Sequence, residues 1–288
     1  MLNSFSFDRN GNLMQLDDII AEKSRRKPSP SPLPPADMTI RFRFSNPDFD
    51  PNTLEITAGT WTKVQYAAGN DWDFTYDNPK WDNLFESKFI IENGTVDIID
   101  NGNLSNITGL NMTFKFCTGL AKLKLNTLTK LTSASNMCNG CTNLSSAELH
   151  DTEVFNQLPN AFDGCSALTE ISLPKTGNNV NFTYTFWRCT SLSNYDNVYM
   201  DKVSVCPGTF NGCTALKTLK PFDVSSVVAI ANMYQDCPNV ETGMYDLYLL
   251  FKEKMPYELP VFTNCGTNTE SGRADRAKIP VSWGGDMQ

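Results

Sequence analysis

Six cysteines, Cys117, Cys141, Cys165, Cys189, Cys213 and Cys237, recur at a constant spacing of 24 residues. Each carries the same neighbours. Three residues before it stands an aromatic, Phe114, Phe162, Phe186, Phe210 or Tyr234, with Cys138 as the one exception. Three residues after it stands an aliphatic: Leu120, Leu144, Leu168, Leu192, Leu216 or Val240. Independent positions do not hold one register through successive periods, so this is an internal repeat.

Within each repeat the cysteine is followed by apolar residues at fixed offsets. Examples are Leu120, Leu123 and Leu125; Leu144, Ala147 and Leu149; and Leu168, Ile171 and Leu173. The last two of each set are separated by one residue, so both side chains lie on one face of a strand. A single short coil cannot bury that face. Stacked coils can, because neighbouring strands pair at about 4.8 Å and equivalent side chains form columns. Each fully buried Leu or Phe contributes roughly 1.5–3 kcal/mol. A repeat of roughly 20–29 residues with this interior reads as a leucine-rich-repeat solenoid of the α+β class. The expected parallel strands lie near Leu123–Leu125, Ala147–Leu149, Ile171–Leu173 and Leu216–Leu219, in one sheet.

The run Ala161-Phe162-Asp163-Gly164-Cys165-Ser166-Ala167-Leu168-Thr169-Glu170-Ile171-Ser172-Leu173-Pro174 resembles the BspA-type leucine-rich repeats of bacterial surface proteins. Phe222 to Val227, continuing to Met233-Tyr234-Gln235-Asp236-Cys237, resembles a related surface-protein variant. The resemblance covers roughly residues 95 to 265 and concerns fold more than function. Asn264 to Thr269 and Ile279 to Gly285 resemble the close of repeat proteins encoded by tailed phages and prophages of gut bacteria. That second resemblance implies a virion component in a tail, fibre or head decoration, and the alternative is a bacterial cell-surface adhesin.

In chain order, residues 1–26 form a first unit. Phe5 and Phe7 alternate as a short strand would, and Leu13, Leu16, Ile19 and Ile20 recur at helical spacing. Asp17 and Asp18 early and Lys23, Arg25 and Arg26 late suit a helix dipole. This apolar face is too small to fold alone and reads as an anchor peptide for a partner, a virion protein if the chain is a virion component. Residues 27–37 hold Pro28, Pro30, Pro32, Pro34 and Pro35, a semi-rigid extended linker. Residues 38–94 read as a small N-terminal cap. Met38 to Phe44 alternates as a strand, and Trp61, Trp72, Trp81, Phe74, Phe85 and Phe89 supply a core or, alternatively, a glycan platform. Asp71 and Asp73 read as turn residues. Residues 95–243 form the solenoid. Residues 244–288 form a C-terminal cap, with a helix through Tyr245, Leu247, Leu249, Leu250 and Phe251 that ends before Pro256. Phe262 and Cys265 repeat the aromatic-to-cysteine spacing once more before Trp283.

Other features narrow the function. A net charge of −8 lacks the basic footprint of a nucleic-acid binder. No run of about 18 apolar residues predicts membrane insertion, and the start resembles no secretory signal. Asp48, Asp50 and Asn52 begin like a calcium loop, but Thr53 and Gly59 stand where such a loop needs Gly and Glu. Cys138 and Cys141 form a lone CxxC with His150 as the only histidine, too few ligands for zinc. Cys138 fills the aromatic slot of its repeat, the column reads as reduced thiols, and Cys206 stands off register. No cofactor is expected, and His150 beside Asp151 does not make a triad.

Binding then falls to the outward strand positions. One row reads Lys122, Ser146, Glu170, Asn194 and Thr218, and the next reads Lys124, Glu148, Ser172, Asp196 and Lys220. Lys122, Lys124, Glu148, Glu170, Asp196 and Lys220 are the candidate ligand face for a host-surface protein or glycan. The alternative is a merely solvated face. The expected role is non-enzymatic.

Overall fold

The computed structural model describes residues 39–46, 50–51, 54–56, 61–65, 70–76, 89–90, 96–105, 107–150, 155–175, 177–255 and 257–288. The anchor residues Phe5, Phe7, Leu13, Leu16, Ile19 and Ile20, the linker 27–37 and the calcium-like residues Asp48 and Asn52 lie outside them.

Strand β1 (Thr39–Phe44) alternates as its sequence dictates, with Ile40, Phe42 and Phe44 buried and Arg43 exposed. It pairs antiparallel with β4 (Asp71–Tyr76) and with β6 (Val96–Asn103). β3 (Trp61–Gln65) lies outside β4, and β2 (Glu55–Ile56) and β5 (Phe89–Ile90) form a separate antiparallel pair. The sheet then changes character. β6 pairs parallel with β7 (Leu120–Leu125), which is followed by β8 (Ser146–Leu149) and β9 (Glu170–Ser172) in parallel. One sheet of order β3-β4-β1-β6-β7-β8-β9 therefore runs from the cap into the repeats.

Three of the four expected repeat strands are present in one parallel ladder. The fourth, at Leu216–Leu219, is not. There the ladder is reduced to isolated bridges, Ser172 with Asn197 and Thr218 with Thr242. The cause lies in the sequence. Where earlier coils place Leu125, Leu149 and Leu173, later coils place Asn197 and Pro221. Asn197 offers no apolar side chain to the core, and Pro221 has no N–H for a ladder.

A second ladder follows the other side of each coil. Gly109, Ser133, Gln157 and Asn181 bridge in turn. β10 (Val180–Asn181) then pairs parallel with β11 (Val203–Val205), and Val205 bridges Ala229. Cys206 is in register here, which corrects the sequence reading. It belongs to the buried column Leu110, Ala134, Leu158, Phe182, Cys206 and Ile230, a different column from the other cysteines.

Between the two ladders, the turns before each cysteine are bonded forward to the next coil. Ala134, Asn136, Cys138 and Gly140 donate their N–H groups to the carbonyls of Gln157, Pro159, Ala161 and Asp163. Two positions per turn carry positive φ, some held by bulky residues (Met112, Phe116, Tyr184 and Arg188) and others by Asn136, Asn160, Asn232, Gly140, Gly164 and Gly212. Asn and Gly tolerate the left-handed region.

The cysteine column is buried, and the thiols of Cys141, Cys165, Cys189, Cys213 and Cys237 are hydrogen-bond donors. Cys141 Sγ donates to Phe114 O at 2.9 Å, Cys165 Sγ to Cys138 O at 3.1 Å, Cys189 Sγ to Phe162 O at 3.1 Å and Cys213 Sγ to Phe186 O at 3.1 Å. The acceptor is always the residue in the aromatic slot of the preceding coil, and Cys138 serves in that slot as expected. Beside the thiols the rings stack face to face, Phe162 on Phe186, Phe186 on Phe210 and Phe210 on Tyr234, at 5.4–5.6 Å.

The C-terminal end closes on this pattern. Helix α1 (Met244–Lys254) follows Gly243, whose φ of 94° and close approach to Leu219 O exclude a side chain. It buries Met244, Leu247 and Phe251 and carries Lys252 and Lys254 in its last turn. Phe262 stacks on Tyr234 and Cys265 is buried, so the repeat is touched once more. Helix α2 (Glu270–Arg276) was not read from the sequence. Its N-cap is Thr269, which accepts from Gly272 N. A 3-10 turn (Val281–Trp283) then brings Trp283 O to Phe262 N at 2.9 Å.

Candidate recognition face

The outward side chains of the sheet form a register-matched row: Asp71, Arg43, Asp97, Lys122, Ser146 and Glu170, each opposite the next. Its charges alternate as far as Lys122. Arg43 Nε and Nη2 grip the two Asp71 oxygens at 2.8 and 2.9 Å. In the neighbouring row Arg41 grips Asp73 in the same way, at 2.7 and 3.0 Å. Asp71 and Asp73 are thus strand residues in ion pairs, which corrects the turn reading. Burial pushes the Asp97 carboxyl up, and Lys122 and Arg43 oppose that shift.

Farther along, Lys124 Nζ meets Glu148 Oε2 at 3.0 Å, and His150 Nε2 meets the other oxygen of Glu148. The His150 hydrogen bond, aided by Lys124, holds Glu148 below the usual carboxylate range. Asp196 and Lys220 also pair with each other. Of the six residues picked from the sequence, the structure therefore joins Lys124 to Glu148 and Asp196 to Lys220. It sets Lys122 opposite Asp97. Glu170 is exposed, with no ion pair among the described residues. Exposed pairs of this kind contribute only about 0–1 kcal/mol each. Their main effect is to present a polar, largely charge-balanced surface.

Sequence reasoning stopped this face at the repeats and missed Arg41, Arg43, Asp71, Asp73 and Asp97. The signal was available. Arg41 and Arg43 alternate with Phe42 and Phe44, and Asp71 and Asp73 alternate with Trp72 and Phe74. Phe74 is buried and Trp72 half-buried, so these two serve the core rather than a surface platform.

The ladder break leaves an open concavity at the far end of the face. Tyr195 turns inward, stacks on Phe210 at 4.5 Å, and accepts Lys220 N–H at 2.8 Å in place of a ladder carbonyl. Burial pushes the Tyr195 hydroxyl up to about 12. Val198 and Met200 form an apolar floor, Tyr199 and Phe222 form walls, and the Asp196–Lys220 pair stands at the mouth.

Among the described residues, no cluster of three or more His, Cys, Asp or Glu could hold a metal ion, and no helix is long and apolar enough to cross a membrane. The stacked coils, the aromatic-to-cysteine columns and the parallel ladder agree with a family comparison. Residues 101–217 and 131–242 match the BspA type leucine rich repeat region, in six copies. This stretch is a BspA-type leucine-rich repeat region. No curated protein matches the chain. BspA-type repeats stack into extended surfaces of the kind repeat proteins use for binding.

Proposed function

We propose that the chain is a non-enzymatic leucine-rich-repeat solenoid that binds a protein partner along its outward strand face. One observation supports this above the others: the register-matched row from Asp71 to Glu170 crosses six strands without interruption, joining cap and repeats into one surface. Because most of its charges are balanced within the face, recognition rests on the pattern of sign rather than on net charge. The double reversal Lys122→Glu with Glu170→Lys is expected to weaken partner or host-cell binding at least tenfold while leaving the thermal unfolding midpoint nearly unchanged. Unaltered binding, together with loss of binding on deleting the tryptophan-bearing cap, would place the site elsewhere.

The finer reading is that this module is a virion component, in which residues 1–26 dock on a particle protein and the repeats face the host surface. It is supported by the resemblance of Asn264 to Thr269 and of Ile279 to Gly285 to the ends of phage-encoded repeat proteins. Mass spectrometry of purified phage particles is the direct test. Recovery of the chain in a bacterial cell-surface fraction, and not in particles, would favour the adhesin instead.

A further inference from the structure

Four bulky residues on the turn edge hold a backbone conformation that the other coils give to Asn, Asp or Gly. Met112 and Phe116 have φ of 59° and 62°, and Tyr184 and Arg188 have φ of 52° and 60°. The coils between them place Asn136 and Gly140, then Asn160 and Gly164, at the same positions. The left-handed region disfavours large side chains. Burial does not repay that cost, since Phe116 is 56% exposed and the Arg188 side chain 59%. Backbone strain of this kind collects where ligands are held.

The four residues make two patches of one design. In the first, Lys115 Nζ stands 5.0 Å over the Phe116 ring. In the second, the Arg188 guanidinium stands 4.3 Å over the Trp187 ring, and Trp187 meets Tyr184 at 5.1 Å. Arg188 is also held from the preceding coil. Its Nε and Nη2 donate to Asp163 Oδ1 at 3.3 and 2.9 Å, and Asn139 Nδ2 occupies Asp163 Oδ2 at 2.9 Å. Arg188 Nη1 makes no hydrogen bond among the described residues. Trp, Tyr and Arg are the residues that most often anchor interfaces.

Charge and spacing say what such an edge fits. The turn segments 111–119, 135–143, 159–167, 183–191 and 207–215 hold two cations, Lys115 and Arg188, and one carboxylate, Asp163. Asp163 is buried with both oxygens occupied, so the edge offers positive charge alone on a chain of net charge −8. In both patches the cation covers a ring face on which a neutral sugar would stack. Phe116 and Arg188 hold one position of coils three spacings apart, about 14 Å. No side chain stands over Gly164 between them. Four residues of extended chain cover about the same distance and put side chains i, i+2 and i+4 on one side.

We propose that the turn edge between Phe116 and Arg188 binds an extended acidic segment of a partner protein. Carboxylates at i and i+4 meet Lys115 and Arg188, and the i+2 side chain lies over Gly164. This surface is a different one from the outward strand face and does not rest on what that face binds.

The test titrates the full chain into a fluorescein-labelled peptide of six Glu-Thr repeats at low ionic strength and follows anisotropy. Saturable binding is expected. Lys115→Gln should weaken it at least fivefold while leaving the thermal unfolding midpoint at the parent value, because Lys115 takes no part in the Asp163 network. Arg188→Gln should weaken it at least as much. The strand-face reversal Lys122→Glu with Glu170→Lys should leave it within twofold. Absence of saturable binding, or equal binding by the parent and Lys115→Gln, would overturn the proposal, and so would binding that follows the strand-face reversal. Polygalacturonate binding more tightly than the peptide, with the same losses in the two edge variants, would assign the edge to an anionic glycan and overturn the protein partner.

Discussion

Cysteine holds its position because it answers two needs at once. The site is buried and narrow, and the carbonyl of the preceding coil's aromatic residue needs a donor there. A thiol is apolar enough for the first and donates weakly for the second. Burial has a titration consequence. The Cys237 thiol is pushed up to about 12, and Cys165, Cys189, Cys213 and Cys265 are also raised. In the unfolded chain thiols titrate near about 8.5. Between those values the unfolded state has released a proton that the folded state keeps. Stability is therefore fully present below pH about 8.5 and falls as pH rises toward about 12, by about 1.4 kcal/mol per pH unit for each such thiol. Urea unfolding under reducing conditions should show the midpoint dropping steeply between pH about 8.5 and about 10.5. A flat profile would contradict the buried column. The column was legible from sequence because the same residue recurs at one offset. Cys206 was not, because its column mixes Leu, Ala, Phe, Cys and Ile and offers no single residue to follow.

At the scale of elements, two kinds of departure from the repeat have different readability. The broken ladder was visible in Asn197 and Pro221, which stand where aliphatics were due, yet the regular cysteine and leucine positions of the same coils concealed it. The turn edge holds a departure that only the stacked fold exposes. Phe116 adopts φ 62°, and its ring lies over Gly140 of the next coil, so that a Cβ at Gly140 would stand 2.4 Å from the ring. Tyr184 lies over Gly208 in the same way. Glycine is favoured at these two sites by positive φ and demanded by the ring above. Gly140→Ala is expected to cost about 2–3 kcal/mol, one part from the left-handed backbone and one from the displaced ring. In a Phe116→Gly background the same change should cost only about 1 kcal/mol. Equal costs in the two backgrounds, measured by chemical denaturation, would show that the ring is not what excludes the methyl.

For the whole molecule, stability depends on how the stack is terminated. The seal at one end centres on Arg276, which is buried despite its charge. Its Nη1 donates to Phe262 O and Cys265 O at 3.1 and 3.2 Å, and Nε and Nη2 hold Asp286 at 3.0 and 2.6 Å. Removing it takes the donor from Cys265 O, leaves Phe262 O with the Cys265 N–H alone, and releases the half-exposed Asp286 carboxylate to water. Arg276→Ala should cost about 2–3 kcal/mol, chiefly from the lost charged hydrogen bonds to the last coil. Hydrogen exchange should accelerate first at Phe262 and Cys265, and protection lost evenly along the chain would argue against a terminal seal. The C-terminal resemblance noted in the sequence flanks Arg276 without including it, and the role of Arg276 was hidden. Two of its partners are backbone carbonyls that come together only once the last coil is in place.

The forward hydrogen bonds of the turn edge bear on how such a chain can change length. Each turn gives its N–H groups to a neighbour that looks the same from one coil to the next, so no coil identifies its position in the stack. Length is then quantised. Excision of Cys189 to Gly212 brings Cys213 behind Arg188 and restores every offset downstream, at the cost of one layer. Loss of Ser191 alone removes far less material but rotates every later side chain away from its column. The larger deletion should yield a folded, shorter protein and the smaller one should not. Growth and shortening by whole coils thus leave both ends of the molecule unaltered, and the reach of the outward face becomes a trait that can vary independently of the fold that supports it.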